Sequence, residues 1–511
     1  MNRDLNLNKI TTEEEWDLIV IGGGASGLGV ALDACSRNLK VLLIEEYDFG
    51  KGTSSRSTKL VHGGVRYLKN GELSLVIEAL RERGIMLKNA PHLVRNMSFI
   101  IPTYAWWDTP FYGVGLKVYD LMAGNLGLGP SQFLSKNETI EKIPNVNQDE
   151  LNGGIIYHDG QFDDARMAIS LGHTIEKNGG TVMNYLKWDS FRYENDIVSG
   201  IKATDQITNI TYELKAKVIV NATGVFAEKI MRTDDPESKI RIKPSQGVHL
   251  VLDHSFLKSE NAIMVPNTSD GRVLFAVPWH DVVIVGTTDT EVKDISIEPT
   301  ATDEEIDFIL ANAEKYMTRK PKRSDVKSVF TGLRPLISKE NTSSKSLSRK
   351  HTIYQSKKGV FHLLGGKWTT YRKMGQDVLD LIDSTNRINL KPSKTKDLKI
   401  FGYKNGVSWN DPLHFYGSEK NLVRSMGSNE PLTSSLPLTE SQIIYAVQFE
   451  MAKTIEDVLS RRTRCLLIDA KECIKIAPMV AKIMSSELNA KENWEQEQIQ
   501  LFLDLAKNYH L

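Results

Sequence analysis

The feature that most constrains this chain is a strand, a glycine-rich turn, a helix, a second strand and an acid, all within the first 45 residues. The apolar run Leu18-Ile19-Val20-Ile21 leads into Gly22-Gly23-Gly24-Ala25-Ser26-Gly27, read as G-x-G-x-x-G. A helical pattern comes next, then Val41-Leu42-Leu43-Ile44, which ends on Glu45, 18 residues after Gly27. This is the spacing of a βαβ dinucleotide-binding unit. Gly22 permits the tight turn, Gly24 lets the backbone approach a pyrophosphate, and Gly27 lets helix and strand pack closely. The helix start at Ala25 and Ser26 offers free N–H groups and partial positive charge to phosphates. Glu45, with Glu46 as the alternative, is placed to accept hydrogen bonds from an adenosine ribose. A glycine-rich turn without a ligand is the competing reading. It leaves the acid at the end of the second strand unexplained.

The segment after this unit distinguishes the kind of dinucleotide. Residues 53–67 run Thr-Ser-Ser-Arg-Ser-Thr-Lys-Leu-Val-His-Gly-Gly-Val-Arg-Tyr. A nicotinamide enzyme has no need of such a segment. A flavoenzyme does, because its isoalloxazine must be held far from the adenosine end. Thr53, Ser54, Ser55, Ser57, Lys59, His62, Gly63 and Gly64 are therefore candidate cofactor contacts. Two later segments point the same way. Val218-Ile219-Val220-Asn221 is an apolar strand that ends in the small-residue turn Ala222-Thr223-Gly224, and such turns pack against the dinucleotide in FAD-binding folds. Leu363-Leu364-Gly365-Gly366-Lys367-Trp368-Thr369-Thr370 is a second glycine-rich strand-to-helix junction. Its backbone N–H groups, with Gly366, Lys367 and Thr369 as the named contacts, suit the flavin end. Three such contacts serve one cofactor only if the chain keeps returning to one sheet. The expected cofactor is thus FAD, in a split domain with insertions.

A length of 511 residues allows two or three domains and a large core. Lys+Arg and Asp+Glu both number 64, so charge gives no support to nucleic-acid binding. Cys35, Cys465 and Cys473 form neither a disulfide framework nor a metal-ligand pattern, which fits a reducing cytoplasm, and no metal is expected. No apolar h-region opens the chain and no run of 18 apolar residues occurs, so neither a signal peptide nor a membrane span is expected.

Residues 1–15 read as a loose tail. Residues 16–394 read as the cofactor domain, in pieces near 16–100, 151–240 and 350–394, with a β-rich substrate cap near 100–150 and 241–349. Ser98-Phe99-Ile100-Ile101 reads as a strand that Pro102 stops. Residues 395–511 read as a separate helical domain. There Ile443, Val447, Met451, Ile455 and Leu459 recur every four residues, predicting one helix that ends in Arg461, Arg462 and Arg464.

Five stretches, taken together, carry a resemblance over nearly the whole chain. They are residues 53–67, Asp159-Gly160-Gln161-Phe162-Asp163-Asp164-Ala165-Arg166, Gly286-Thr287-Thr288-Asp289, Gly332-Leu333-Arg334-Pro335-Leu336, and Gly365–Arg372. With Glu456–Arg464 they make the chain similar to the FAD-dependent glycerol-3-phosphate dehydrogenases. The resemblance implies an α/β fold: a glutathione-reductase-like FAD-binding Rossmann domain, a β-sheet cap over the flavin, and an all-α C-terminal domain. It implies oxidation of sn-glycerol 3-phosphate to dihydroxyacetone phosphate in glycerol metabolism. Dehydrogenase members pass the electrons to membrane quinone, and oxidase members pass them to oxygen. Longer oxidases carry an insertion for which 511 residues leave little room, though short oxidases exist, so both acceptors stay open. A homo-oligomer, a dimer, is also implied.

By the same resemblance Arg334 lies between substrate phosphate and flavin, Arg349 is a second phosphate-pocket arginine, and Lys367 stands near flavin and substrate. Arg66 and Tyr67 line the same pocket. Oxidising a secondary alcohol requires a base for the hydroxyl proton while the cofactor takes the hydride. His249 is the first candidate and His62 the second. The bland alternatives are a satisfied sheet histidine for His249 and a cofactor-contacting turn residue for His62. Asp163, Asp164 and Arg166 read as a local ion-pair network that shapes the cap. A non-catalytic flavoprotein is the alternative of another class, and the joint presence of Arg334, Lys367, His249 and His62 speaks against it. Residues 104–122, with Trp106, Trp107, Phe111 and Tyr112, read either as a packed helix or as a peripheral docking segment on the inner face of the cytoplasmic membrane.

Overall fold

The computed structural model of the protein describes residues 1–64, 72–266, 268, 270–338 and 351–511. Arg66, Tyr67 and Arg349 lie outside the described residues. The first sheet runs, from edge to edge, Thr352–Gln355, Phe361–Leu364, Thr211–Asn221, Trp16–Ile21, Val41–Ile44 and Thr181–Met183. The pairings from Phe361–Leu364 to Thr181–Met183 are all parallel. Strands buried on both faces read as unbroken apolar runs, and Leu18, Ile19 and Val20 are completely buried. The chain does return to one sheet three times. The helix Ala25–Ser36 on one face is met by the helix Tyr371–Ser384, and they touch through glycines: a Cβ on Gly375 would stand 2.2 Å from the Gly29 carbonyl oxygen. Only glycine permits that approach, which ties the last returning segment to the first helix.

The second sheet is the cap. Its path is Thr290–Glu291, Arg241–Asp253, Val282–Gly286, Leu274–Trp279, Ala262–Val265, Val94–Thr103, Gly153–Phe162 and Leu60–Val61, and Val326–Ser338 flanks Arg241–Asp253. Side chains alternate between two apolar layers. Ile100, Ile156 and Ile263 pack with Ile306 and Ile309 of the helix Asp303–Tyr316, while Phe99, Ile101, Ile155 and Tyr157 face the other way. Two expectations are corrected here. Gly153–Phe162 belongs to the cap sheet, paired antiparallel along Val94–Thr103, and not to the nucleotide sheet. Pro102 stays within its strand opposite Gly154, because proline is tolerated where the ladder does not need its missing donor.

The expected tail is also corrected. Residues Arg3–Thr12 form a helix capped by Asn2, whose side chain accepts from Leu5 N. Arg3 pairs with Asp205 at 2.9 Å, and Asn6, 1% exposed, donates to the Val182 carbonyl at 3.0 Å. Polar side chains dock this helix, so no apolar periodicity announces it. The C-terminal domain packs the helices Glu440–Phe449, Ala470–Leu488 and Trp494–Ala506 around one core, with a small hairpin Pro431–Thr433/Leu436–Thr439. The single helix predicted over 443–459 is broken. Met451 takes a left-handed conformation at φ 57°, and the chain resumes as a π-helical turn at Asp457–Arg462. The break follows from Glu450. Its carboxylate is held by Arg166 at 2.6 Å and its carbonyl accepts from Arg462 at 2.7 Å. Ile443, Val447, Ile455 and Leu459 still share one core, which is why their spacing resembled one helix.

Candidate active site

The nucleotide sheet opens into a cleft of about 770 Å³, lined by Gly22, Gly24, Ala25, Ser26 and Glu45. The turn Ala222-Thr223-Gly224 and the loop residues Thr53 and Ser54 complete its wall. The backbone is as close here as the sequence pattern requires. A Cβ on Gly27 would sit 1.8 Å from the Gly22 carbonyl oxygen, and one on Gly22, at φ 111°, would sit 2.8 Å from the Ala222 carbonyl oxygen. Ser54 is where the first glycine-rich turn and the junction at 365–370 meet. Its Oγ accepts from Ala25 N at 2.9 Å, and its carbonyl accepts from Trp368 Nε1 at 2.7 Å. Glu45 accepts from Gly23 N at 2.6 Å and from Tyr47 N at 2.9 Å. Burial outweighs these donors and pushes its carboxyl up to about 7. The helix start, the small-residue walls and a terminal acid, in a cavity of cofactor size, fit an extended dinucleotide.

A second cleft of about 180 Å³ lies at the junction with the cap. Thr58, His62 and Gly64 come from the segment that follows the nucleotide unit, and Thr287, Thr288, Asp289 and Arg334 come from cap strands and turns. Phe99, Tyr157, Met264 and Phe275 form its apolar side. The Arg334 side chain is 28% exposed and stands 3.5 Å from Asp289. It donates to the Thr288 carbonyl at 3.1 Å and to Thr287 Oγ1 at 3.0 Å. These bonds fix the plane of the guanidinium at the cleft wall. The two clefts are joined by chain: Thr53, on the first, donates to the Leu333 carbonyl beside Arg334 at 2.6 Å.

Several expected site residues stand elsewhere. His249 is only 2% exposed and lines neither cleft. Its Nε2 lies 2.9 Å from Thr58 Oγ1, so it backs the wall that Thr58 forms. Lys59, expected at the cofactor, is turned inward and completely buried, 2.7 Å from Asp164. Ser57 Oγ donates to the same carboxylate at 2.7 Å, and Ser55 is buried with its carbonyl accepting from Lys59 at 2.8 Å. Gly63 N donates to Tyr119 Oη at 2.9 Å, one layer behind the second cleft. Lys367, Gly366 and Thr369 belong to the junction around Trp368 and line neither cleft. Asp163, Asp164 and Arg166 do form an ion-pair network, but it reaches beyond the cap. Arg166 is paired with Glu450 and Asp164 with Arg464, both in the C-terminal domain.

Sequence reasoning missed Arg272, which lines the second cleft and pairs with Asp270 at 2.7 Å. It also assigned no role to Asp159, which lines that cleft and holds Arg83 at 2.7 Å and Tyr119 at 2.7 Å. Arg272 follows Asp270-Gly271, an ordinary turn signal that hides a cleft-lining position. Lys51, on the first cleft, was missed too; its ammonium reaches Glu456 of the C-terminal domain at 2.5 Å. Among the described residues no group of three or more His, Cys, Asp or Glu is placed to hold a metal ion, and no helix is long and apolar enough to cross a membrane.

Known proteins match nearly the whole chain. Residues 17–372 match the family described as FAD dependent oxidoreductase, and residues 362–499 match the C-terminal domain of alpha-glycerophosphate oxidase. The mitochondrial glycerol-3-phosphate dehydrogenase of Homo sapiens is 36% identical over 98% of this chain and 74% of its own length. That of Saccharomyces cerevisiae is 34% identical over 99% of this chain and 91% of its own. A glycerol-3-phosphate dehydrogenase from Bacillus halodurans, solved with FAD, superposes with a TM-score of 0.81 at 29% identity, covering 99% of this chain and 97% of that one. The L-alpha-glycerophosphate oxidase of Mycoplasma pneumoniae shares the fold, with a TM-score of 0.59 at 17% identity over 75% of this chain and 98% of that one.

Proposed function

As the chain belongs to the family of FAD-dependent glycerol-3-phosphate dehydrogenases, we propose that it oxidises sn-glycerol 3-phosphate to dihydroxyacetone phosphate and passes the electrons to a membrane quinone. The observation that carries the substrate reading is the second cleft, where a partly exposed guanidinium and an imidazole share one small volume beside the cofactor loop. FAD, when bound, supplies the acceptor for the hydride that leaves substrate C2. Gly24, Ala25 and Ser26, with Ser54 beside them, would hold its phosphates and Glu45 its ribose.

The protein's own groups do the rest. Arg334, on the cleft wall, grips the phosphate, and Asp289 and the Thr287–Thr288 pair keep the guanidinium oriented. Arg272 adds a second cation on the same wall. His62, on the wall itself, takes the proton of the C2 hydroxyl as the hydride leaves. Phe99, Tyr157, Met264 and Phe275 keep water from the reacting carbon.

A quinone acceptor is supported by the helix Asp108–Ala123. Trp107, Phe111, Val114, Val118 and Leu121 recur at helical spacing, and their exposures of 58, 60, 67, 42 and 81% mark one bare apolar face. Trp106, 78% exposed, extends it. Leu116 and Tyr119 bury the opposite side against the cap. A contiguous face of this kind suits the lipid interface, where tryptophan is favoured. The packed-core alternative for this segment is thereby disfavoured. We propose docking on the inner, cytoplasmic face of the membrane.

The test is anaerobic addition of sn-glycerol 3-phosphate to the FAD-loaded protein, followed by a soluble quinone or by air. Loss of oxidised-flavin absorbance supports the substrate, and its absence overturns it. Fast recovery with quinone and slow recovery with air supports the dehydrogenase. Fast recovery with air and stoichiometric peroxide makes the protein an oxidase.

A further inference from the structure

The loop that carries both clefts has little regular structure of its own. Between the strands Val41–Ile44 and Leu60–Val61 it contains only the single turn Thr53–Ser55. Its backbone is held by side chains from elsewhere in the chain, among them one from the far end of the sequence. Arg464 takes a left-handed conformation at φ 67°, and its side chain is fully buried. Its guanidinium donates to the Ser55 carbonyl at 3.0 Å, to Asp164 Oδ1 at 2.8 Å and to the Ser460 carbonyl at 2.6 Å. The other oxygen of Asp164 accepts from Ser57 N at 3.0 Å, from Ser57 Oγ at 2.7 Å and from Lys59 Nζ at 2.7 Å. Lys59 closes the ring by donating to the Ser55 carbonyl at 2.8 Å.

We propose that Arg464 is a positioning residue for the reaction: through Ser55 and Asp164 it sets the backbone of residues 55–59, and with it Ser54 at the cofactor and Thr58 at the substrate. The inference rests on the functional reading of the two clefts. Two features separate positioning from packing. The contacts end on main-chain groups of Ser55 and Ser57, which fix backbone angles and not merely volume. The network also reaches the reaction side. Lys59 Nζ lies 4.9 Å from the Phe330 ring centroid, the same ring stacks on His249 at 4.7 Å, and His249 holds Thr58. The cluster is balanced, with Lys59 and Arg464 against Asp164 and Asp163, the latter 3.3 Å from Arg464. Removing one member leaves a buried charge uncompensated, and the segment moves to relieve it.

The experiment compares wild type with Arg464→Gln and Arg464→Lys, and adds Asp164→Asn as an independent cut in the same network. Three readouts are taken. The first is hydrogen exchange of the amides of residues 55–61 in protein stripped of FAD. The second is FAD affinity from flavin fluorescence. The third is kcat and KM for sn-glycerol 3-phosphate with an artificial acceptor. In Arg464→Gln and in Asp164→Asn we expect those amides to exchange at least about tenfold faster. We expect FAD to bind about tenfold or more weakly, because a loosened loop must be ordered on binding. We expect kcat to fall more than substrate KM rises. Arg464→Lys, which keeps the charge but not the fork, recovers part of each. Wild-type protection of residues 55–61 together with wild-type FAD affinity in Arg464→Gln overturns the proposal. So does loosening confined to the C-terminal helices. If wild type itself fails to oxidise the substrate, the functional reading falls, while exchange and FAD affinity still decide the role of Arg464.

Discussion

Thr58 Oγ1 lies 2.9 Å from His249 Nε2, and the His249 ring stacks on Phe330 with centroids 4.7 Å apart. The hydroxyl faces the substrate cleft and the imidazole stands behind it. Burial first, then the positive charges of Lys59 and Arg334, holds His249 well below the ordinary histidine pKa. Its neutral form is favoured, so the acid limb of the rate profile is expected to come from another group. His62→Asn should lower kcat by about 10²–10⁴-fold with substrate binding retained, the usual size of a general-base effect. His249→Ala should cost less and leave the acid limb of kcat where it is in wild type. A larger loss in His249→Ala than in His62→Asn would reverse the assignment.

On the proposed reading Arg334 carries the phosphate. A charge-assisted hydrogen bond contributes about 1.5–3 kcal/mol, so Arg334→Ala should weaken substrate binding roughly ten- to a hundredfold. The same variant should lose competitive inhibition by inorganic phosphate. Steady-state kinetics with an artificial acceptor measures both. An unchanged KM together with unchanged phosphate inhibition would place the phosphate elsewhere.

Gly27→Ala should give protein without bound FAD. The added Cβ would stand 1.8 Å from a backbone oxygen of Gly22, and neither group is free to yield. Gly24→Ala should lower flavin content too, since its Cβ would meet Ser54 Oγ at 3.0 Å on the side where the backbone approaches the pyrophosphate. Flavin content of the purified proteins ranks the two. Equal flavin in Gly27→Ala and wild type would mean that helix and strand can separate at no cost.

Acid should loosen the domain junction. Burial alone would raise the carboxyls of Asp48 and Glu456, but neighbouring cations outweigh it. Arg462 and Arg461 hold Asp48 well below its ordinary value, and Arg461 and Lys51 hold Glu456 at about 2. Asp457 shifts upward instead, through its burial and then the Asp48 carboxylate. A carboxyl with a depressed folded pKa contributes its full stability above the unfolded value of about 4 and loses it as pH falls through the folded one. Two depressed groups against one raised group should make the thermal midpoint fall steadily from about pH 5 to about pH 2. Asp48→Asn should lower stability at pH 7 and flatten that slope. Calorimetry across the range measures it, and a wild-type midpoint that stays level down to pH 3 contradicts the account.

Exposed apolar side chains of the helix Asp108–Ala123 should control membrane binding. Replacing Trp107, Phe111 and Leu121 by serine removes three exposed members of one face and leaves the buried face intact. Co-sedimentation with liposomes should fall about tenfold or more, since a buried large apolar side chain contributes roughly 1.5–3 kcal/mol. Flavin reduction by substrate should be unaffected. Equal pelleting of variant and wild type, or no pelleting of either, removes this face from the docking role.

Motifs defined by local backbone geometry were legible in advance. Gly22, Gly24 and Gly27, the acid Glu45 and the Ala222–Gly224 turn all line or build the nucleotide cleft, because a tight turn and a close helix leave few residue types possible. Arg334 and His62 also line the cleft at the cap junction. Readings that needed a side-chain direction fared differently. Lys59 has the composition of a cofactor-loop lysine, yet it turns inward to Asp164, which lies 105 positions away. His249 alternates along its strand to the Phe330 side. The four-residue spacing of Ile443–Leu459 reported a shared core correctly but concealed the break at Met451.

The sequence by itself determined the FAD fold, the split cofactor domain and the helical C-terminal domain, because apolar periodicity and glycine spacing are local properties of the chain. Only the tertiary structure decided which histidine lines the second cleft and that Arg464 lies beneath the cofactor loop. It also decided that the face of Trp107 and Leu121 stays bare. Those outcomes depend on charges and surfaces that meet across hundreds of residues, where the energy of burying an ion pair or leaving a face exposed is set by the partner and not by the neighbours in sequence.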